Sequence, residues 1–432
     1  MTTTYSTFEA FRPHFNALAY VAYFKIVPTP SSGLKHTLHT AYRGVVWFLV
    51  IIYNLQHVIR VIQARHSTEQ VVNTLFVLLT TLNTLGKQLA FNSRVERMDR
   101  LIATIEGPLF TACNAYGEKV LRRHAGIMSR MLTMYHGSIY LCGAMWGISP
   151  LVTKLSGEVE LTGYFPFDTS DWIGFGIAVA FNTIAITWQG YGHVTMDCTI
   201  VSFHAQTKTQ LQILRHSLEH LVDPVGETGR EICVRSTVYK DIEDPAFGVV
   251  LKKRITRCVE HYKLIVWFHN EVEALFAEAL MFQFFVVAWV ICMTMYKIVG
   301  LSLLSAEFFS MFVYLGCMMG QLFIYCYYGT QVKAESEFIN DSIYRCDWVS
   351  LSPQFRALLL IQMSRCMRPV APRIALIIPM SLETYISVTE TDCREVLRAA
   401  VDPVGEGQVH GLWHRATQNI NPKFLETYIS VT

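Results

Sequence analysis

Long apolar stretches recur along the chain at the length that a membrane crossing requires. A helix needs about 20 mostly apolar residues to cross the hydrocarbon core of a bilayer. Six such stretches are separated by polar segments, and they are Gly44–Ile59, Gln70–Gly86, Met131–Thr153, Ile173–Met196, Ala279–Tyr296 and Leu301–Tyr328. The strict alternation of apolar and polar residues that is typical of transmembrane β-strands does not occur in them. The pattern therefore predicts an all-α, polytopic membrane protein.

A seventh apolar stretch, Pro369–Thr389, is weaker than the other six. Its continuous apolar core runs only from Ile374 to Leu382, a length that is usual for a re-entrant segment or for part of a helix. We predict a seven-transmembrane helix bundle in which residues 369–389 form only the inner part of the seventh span.

Lysine and arginine are distributed unevenly between the loops, and short loops rich in these residues face the cytoplasm. They are frequent before the first span, between the second and third, and between the sixth and seventh. The loops after the third and fifth spans hold one each, Lys154 and Lys297. We predict a cytoplasmic amino-terminal segment (1–43), a region of six spans (44–328) and a cytoplasmic anchor loop (329–368). This orientation is opposite to that of a G-protein-coupled receptor.

The segment between the fourth and fifth spans has a helical periodicity of its own. Leu211, Leu214 and Leu218 recur at helical spacing, and a second run from Ile255 to Val266 does the same. The turn-forming sequence Asp223–Glu227 separates the two runs. We predict a cytoplasmic helical hairpin over residues 198–278 that continues spans four and five. Two interpretations stay open, because such a hairpin either assembles subunits or packs on itself.

Composition narrows the possible functions. Charged residues make up 16% of the chain, against roughly a quarter in soluble domains. A net charge of +2 offers no extended basic surface for nucleic acid. The 11 cysteines stand without a Cys-x-x-Cys pair, so neither a metal site nor a disulfide framework is indicated. Because the motifs of P-loop, zinc-protease and serine-hydrolase enzymes are also missing, we predict neither an enzyme nor a cofactor.

Aromatic side chains are concentrated in the outer halves of the third, fourth and sixth spans. Such walls are typical of pockets for small apolar ligands, but also of an interfacial aromatic belt. The residues that we predict to contact a ligand are Tyr140, Trp146, Phe175, Phe181, Phe308, Phe312 and Tyr314. Polar residues within spans favour hydrogen bonds between helices, and they include Asn73, Asn83, Asn182, Gln189 and Gln321. Gly316 and Gly320 have the spacing of close helix packing.

Short motifs occur in a fixed order over the region 266–388. They are His269-Asn270-Glu271-Val272 before span five, Tyr325-Cys326-Tyr327-Tyr328-Gly329 at the end of span six, Glu335-Ser336, Tyr344 and Trp348, Arg365 and Pro369, and Ser381-Leu382-Glu383-Thr384-Tyr385. In this order, and with the amino-inside layout, they resemble the insect odorant receptor family. Gustatory receptors are the nearest alternative, but their final motif continues after Thr-Tyr with five apolar residues and Gln-Phe. This chain continues with Ile386–Glu390 instead.

The resemblance implies a subunit of a ligand-gated cation channel that forms a hetero-tetramer with an obligate olfactory co-receptor. It implies that small hydrophobic odorants bind among spans two, three, four and six. It also implies that Tyr344 and Trp348 belong to the subunit-assembly region, and that the outer part of span seven lines the pore. The expected location is the plasma membrane of an olfactory sensory neuron dendrite, in contact with membrane lipid. A secondary transporter is a further alternative, but the charged mid-membrane sites and inverted repeats of that class are not evident.

The tail, residues 390–432, departs from the family pattern. An apolar pore helix is expected there, but Glu390, Asp392 and Arg394 interrupt it. Two sequences also recur, since Leu382–Thr389 is repeated as Leu425–Thr432 and Val222–Glu227 as Val401–Glu406. Our hypothesis is that the tail carries spliced or mis-assembled pieces of a duplicated gene. We therefore expect a chain that binds ligand and assembles but conducts poorly.

Overall fold

The computed structural model describes residues 5–25, 33–112, 114–155, 163–223, 239–300, 305–374 and 377–390. Its helices are α1 (Arg12–Tyr20), α2 (Gly33–Gln63), α3 (Thr68–Ser93), α4 (Val95–Ile105), α5 (Ala115–Leu155), α6 (Trp172–Glu219), α7 (Lys240–Glu243), α8 (Pro245–Gly300), α9 (Ala306–Glu337), α10 (Ile339–Arg345) and α11 (Pro353–Cys366). Short 3-10 helices cover Thr7–Ala10 and Trp348–Ser350, and strands β1 (Arg373–Ile374) and β2 (Ile378–Pro379) pair antiparallel. Residues 382–390 are also helical.

Six long helices, α2, α3, α5, α6, α8 and α9, contain the six predicted spans. By length and composition, four of them are apolar enough to cross a membrane, over Leu34–Gln63, Trp172–Glu219, Pro245–Met295 and Phe308–Arg345. Helices α3 and α5 are less apolar, but at 26 and 41 residues they extend for about 39 and 62 Å, more than the roughly 30 Å of a hydrocarbon core. The prediction of an all-α membrane protein is confirmed. The start of the sixth predicted span, Leu301–Leu304, lies outside the described residues.

Helices α6 and α8 extend far beyond the predicted spans that they contain. They have 48 and 56 residues, or about 72 and 84 Å, more than twice the thickness of the hydrocarbon core. The leucines whose spacing predicted a helix are buried, and they are Leu211, Leu214 and Leu218. Among the described residues, both arms of the hairpin predicted over 198–278 are direct continuations of these two helices. Most of the turn-forming sequence, residues 224–227, lies outside the described residues.

The inner half of the bundle is the half that contains the second half of α6, from Gly192 onward. Its hydrophobic core surrounds α6. Phe203 is fully buried, and its ring lies 5.1 Å from that of Phe11, 6.1 Å from Phe268 and 6.4 Å from Phe276 between centroids. The amino-terminal segment therefore packs against the bundle. Gly192 is required at this contact, because any Cβ there would collide with the ring of Tyr23.

The weak seventh stretch does not form one continuous helix. Pro369, Pro372 and Pro379 cannot donate the backbone hydrogen bonds of a helix, and the β1–β2 hairpin lies between the last two of them. The helical residues 382–390 follow. Their side chains at Leu382, Tyr385 and Val388 pack against a cluster formed by α8 and α9. Among the described residues, the seventh span is therefore represented by a short helical piece. The tail from residue 391 lies outside the described residues.

Candidate ligand cavity

Four helices each turn one face toward a common cavity. The lining residues of α5 are spaced by three and four, as on one face of a helix, and they are Tyr135, Ser138, Ile139, Cys142, Gly143 and Trp146. The α9 face shows the same spacing at Tyr314, Cys317, Met318 and Gln321. Helix α3 contributes Phe76, Val77, Thr80, Thr81 and Thr84, and α6 contributes Ile186, Thr187, Gln189, Gly190, His193 and Val194. These helices contain spans two, three, four and six.

The cavity is a partly enclosed void of molecular size. Its volume is about 80 Å³, several times the roughly 10–15 Å³ that one water molecule requires. Its walls are predominantly apolar, with hydroxyl groups between the hydrocarbon side chains. A space of this kind suits a small, mostly apolar molecule with one polar function.

Glycines bring the two longest walls of the cavity together. A Cβ at Gly143 of α5 would collide with Thr187 of α6, and a Cβ at Gly147 would lie 3.2 Å from Thr183. The α5 and α6 backbones can therefore approach closely along this line. The two glycines of α9 that we predicted to allow close packing differ in their surroundings. The Tyr135 hydroxyl donates a 2.8 Å hydrogen bond to the Gly320 carbonyl oxygen. A Cβ at Gly316 would meet no atom within 4 Å.

One end of the cavity is closed by aromatic rings. The rings of Trp146 and Tyr314 meet edge to face with centroids 6.3 Å apart. The Tyr314 hydroxyl shares a 3.0 Å hydrogen bond with the Thr80 hydroxyl. Phe76 packs against Trp289 behind them, at 5.5 Å between ring centroids. Helices α3, α5 and α9 are thereby joined around this end.

The other end of the cavity is closed by a buried polar cluster of Lys87, His193, Asp197, Gln321 and Tyr325. Lys87 forms an ion pair with Asp197, and both side chains are essentially inaccessible to solvent. Tyr325 donates a 2.7 Å hydrogen bond to the same carboxylate, and Gln321 donates to its other oxygen. Because a buried charge is costly unless it is paired and hydrogen-bonded, this cluster fixes α3, α6 and α9 relative to one another.

The hydrogen-bond partners of His193 determine its role in this cluster. Its Nε2 lies 3.2 Å from Lys87 Nζ and 2.8 Å from Gln321 Nε2, and both of these nitrogens are donors. Its Nδ1 lies 2.9 Å from the Thr84 hydroxyl. A neutral ring with its proton on Nδ1 satisfies all three contacts, so His193 accepts from the polar cluster and donates to the cavity wall.

The structure distributes the seven predicted ligand residues unevenly. Trp146 and Tyr314 line the cavity, whereas the other five lie outside it. Tyr140 and Phe312 are exposed, Phe181 packs against Tyr53, and Phe308 stacks on Phe312. Phe175 is buried beneath the Lys154 ammonium, which lies 4.1 Å from its ring. The prediction rested on the position of each aromatic residue along its span. The rotation of each helix about its own axis determines which of these residues reach the cavity.

Sequence reasoning missed most of the polar groups at the cavity. Lys87 and Asp197 each stand one residue beyond a predicted span, so neither was included in it. The usable signal was that two opposite charges adjoin spans on the same predicted side of the membrane. Gln321, which we interpreted as joining helices, does bond to α6.

The predicted assembly residues lie on a separate surface, around α10 and α11. Tyr344 is 68% exposed, and its ring lies 6.2 Å from that of Trp348. An ion pair of 2.7 Å between Lys240 and Asp347 fixes α7 beside this surface. Partial burial acts to raise the pKa of the Asp347 carboxyl, but hydrogen bonds from Lys240 and Ser350 outweigh it, so this pKa lies below its ordinary value.

Comparison with protein families gives one match that covers most of the chain. The family described as 7tm Odorant receptor matches residues 67–391. Odorant receptor 46a, isoform A, of Drosophila melanogaster is 22% identical over 325 residues, which cover 75% of this chain and 80% of the relative. Odorant receptor Or1 of Anopheles gambiae is 24% identical over 293 residues, which cover 63% and 68%.

Comparison with solved structures agrees with this match in fold. The insect olfactory receptor OR5 from Machilis hrabei superposes with a TM-score of 0.75 at 14% identity, over 90% of this chain and 96% of that one. The same receptor in complex with eugenol gives the same TM-score and identity over 90% and 97%.

Proposed function

The chain belongs to the insect odorant receptor family, and on this premise we propose that it is a receptor subunit that binds small hydrophobic odorants in the cavity between α3, α5, α6 and α9. The observation that carries the proposal is the cavity itself, which has the predominantly apolar wall that suits a small hydrophobic ligand. The related fold of the Machilis hrabei receptor has been solved in complex with eugenol, a small aromatic molecule, which supports an odorant as the ligand class.

Helix α9 is the proposed connection between ligand and gate. One face of it lines the cavity through Tyr314 and Gln321. Further along, Thr330 accepts a 3.0 Å hydrogen bond from the Leu382 backbone, and Phe323 lies 5.6 Å from Tyr385 between ring centroids. A ligand that shifts α9 therefore also shifts residues 382–390, which represent the inner part of span seven. Cation conduction would follow from that movement, and the departure of the tail from the family pattern still predicts weak conduction.

Assembly with an obligate co-receptor is proposed for the surface around α10 and α11. Large apolar side chains are exposed there, and they include Tyr344, Val349, Leu360, Ile361 and Met367. Contiguous exposed apolar surface commonly marks a protein interface. The basic loops favour placing this surface in the cytoplasm, with the receptor in the plasma membrane of a sensory dendrite.

Ligand binding can be tested without relying on current. Purified receptor in lipid nanodiscs would be screened by thermal denaturation against a panel of small volatiles that includes eugenol. A ligand at 100 times its Kd stabilises the folded state by about 2.7 kcal/mol, which gives a measurable rise in melting temperature. Ile139→Trp fills the cavity and should abolish this rise. Ile148→Trp is the matched control, because Ile148 lies on α5 but is exposed. Equal responses of both variants would contradict the proposed site.

A further inference from the structure

One polar side chain at the cavity wall has an unused hydrogen-bonding atom. Gln189 of α6 lines the cavity and is only 3% exposed. Its position within a span favoured a hydrogen bond between helices, but its carbonyl oxygen Oε1 has no hydrogen-bond partner among the described residues. The buried amides of Gln88 and Gln206 are also unpaired, but they do not line the cavity. Because an unpaired buried polar group costs free energy, a ligand that donates to Gln189 would remove this cost.

Most hydroxyl groups of the wall already donate their protons within the protein. The Thr80 hydroxyl donates to the Phe76 carbonyl at 2.8 Å, so Tyr314 is the donor in the hydrogen bond that these two hydroxyls share. Four further hydroxyls donate to backbone or amide oxygens, and they belong to Thr81, Thr84, Tyr135 and Ser138. A ligand that only accepts hydrogen bonds must therefore compete with existing ones. A ligand that donates finds the unpaired Gln189 oxygen.

We propose that the cavity selects small neutral alcohols and phenols, and that Gln189 determines this selectivity by accepting a hydrogen bond from the ligand hydroxyl. The inference rests on the proposed function, because it assigns a ligand class and a recognition atom to the same cavity. The terminal torsion of a glutamine side chain is broad, so Oε1 can turn toward a ligand without breaking a hydrogen bond of its own. Carboxylic acids are outside the class, since they are ionised at neutral pH and then only accept.

The position of Gln189 suits a molecule with a hydroxyl at one end and hydrocarbon at the other. Gln189 precedes His193 by four residues, so it lies one helical turn from the buried polar cluster, on the same face of α6. The rings of Trp146 and Tyr314 close the opposite end and offer an apolar surface to the hydrocarbon part. The cavity volume of about 80 Å³ favours the smaller members of the class.

The probes for this selectivity are cyclohexanol, cyclohexanone and methylcyclohexane, which share a six-membered ring. Cyclohexanol donates and accepts hydrogen bonds, cyclohexanone only accepts, and methylcyclohexane does neither. Purified receptor in lipid nanodiscs would be titrated with each in sealed cells, and Kd would be obtained from the dependence of the melting temperature on ligand concentration. We expect the Kd of cyclohexanol to be at least about fivefold below that of cyclohexanone, as one net hydrogen bond predicts. Equal values would overturn the proposal.

Two substitutions on α6 separate recognition from the removal of a buried amide. Gln189→Met removes the amide with little change in volume, and it should raise the Kd of cyclohexanol about fivefold without weakening the binding of methylcyclohexane. Gln206→Met is the matched control, because Gln206 is fully buried with both amide atoms unpaired and lies outside the cavity. The preference for cyclohexanol should survive this control. Neither variant should unfold the receptor, since each replaces an unpaired amide by an apolar group.

The possible outcomes distinguish this inference from the proposed function. A preference for cyclohexanol that persists in Gln189→Met, or that is lost equally in Gln206→Met, overturns the role of Gln189. If the probes bind without preference for the hydroxyl and Ile139→Trp abolishes their binding, this inference fails and the proposed function stands. If Ile139→Trp leaves the binding of all volatiles intact, the proposed function fails as well.

Discussion

The outer and inner halves of the bundle are built differently, and α6 passes through both. From Gly192 to Thr207, every residue of α6 is buried. Toward its outer end, Trp172, Ile173, Ile177 and Ile184 are all exposed, with Ile173 at 79%. An apolar residue that is exposed in the bundle faces lipid in a membrane, where it incurs no penalty. The same helix is therefore a lipid-facing wall in one half and the centre of a protein core in the other.

The difference shows how a receptor can hold a void without losing its fold. Most of the α6 residues that line the cavity precede Gly192, in the part of the helix with a lipid-facing side, and the buried ion pair of Lys87 and Asp197 closes the cavity toward the densely packed half. One part of each long helix thus contributes mainly to the packed core and hence to stability, and another part of the same helix lines the ligand cavity. Substitutions in the two halves should consequently have different effects.

The largest expected effect comes from breaking the buried ion pair. Lys87→Ala leaves the Asp197 carboxylate buried without its cation, and such a change commonly costs about 3–5 kcal/mol. Thermal and denaturant unfolding of the purified receptor would measure the loss. The double variant Lys87→Met/Asp197→Leu should recover part of it, because neither charge is then left unpaired, although Tyr325 and Gln321 lose their acceptor. A single variant that is as stable as the unsubstituted chain would contradict the structural role of the pair.

An intermediate effect is expected where the hairpin approaches α9. Any Cβ at Gly329 would collide with the Met380 carbonyl oxygen, so Gly329→Ala should push the β1–β2 hairpin away. Overpacking of this kind costs about 1–3 kcal/mol. Hydrogen exchange should rise at residues 377–390 and stay unchanged around Phe203. Gly316→Ala is the control, since a Cβ there meets no atom within 4 Å. Equal effects of the two substitutions would argue against the close contact.

The smallest effect on stability is expected on the lipid-facing surface of the outer half. Phe312 is 57% exposed, and Phe312→Ala should change the free energy of unfolding by no more than about 0.5 kcal/mol. Volatile-induced thermal stabilisation should persist in this variant. Trp146→Ala should instead alter which volatiles stabilise the receptor, since Trp146 lines the cavity. A ligand profile changed by Phe312→Ala but not by Trp146→Ala would show that the binding surface lies elsewhere.

Several features could be predicted because they depend on local pattern. The six long helices follow from runs of apolar residues. The continuation of α6 follows from the spacing of Leu211, Leu214 and Leu218, and that of α8 from the run between Ile255 and Val266. The break in the seventh stretch also has a local cause in Pro372 and Pro379, but the hairpin between them was not predicted. Its pairing with α9 depends on Gly329, which is far away in the sequence.

The cavity was predictable only in part. Knowing which span a residue belongs to and how far along the span it lies was sufficient to include Trp146 and Tyr314 among the candidates. It was not sufficient to exclude Phe312, which is two residues from Tyr314 and lies on another face of the helix. The buried polar cluster at one end of the cavity joins Lys87 to Asp197, which is 110 positions away in the sequence. Such pairings have no signature in the neighbouring residues of either partner.

The sequence by itself determined that this protein is a helical membrane receptor of a recognisable family, because hydrophobic runs, basic loops and short motifs are properties of neighbouring residues. Only the tertiary structure decided which face of each helix turns inward and which charges neutralise one another. Those outcomes depend on the rotation and separation of helices that are distant in the chain. Packing of the whole bundle sets these quantities, and the buried ion pair of Lys87 and Asp197 is a direct product of it.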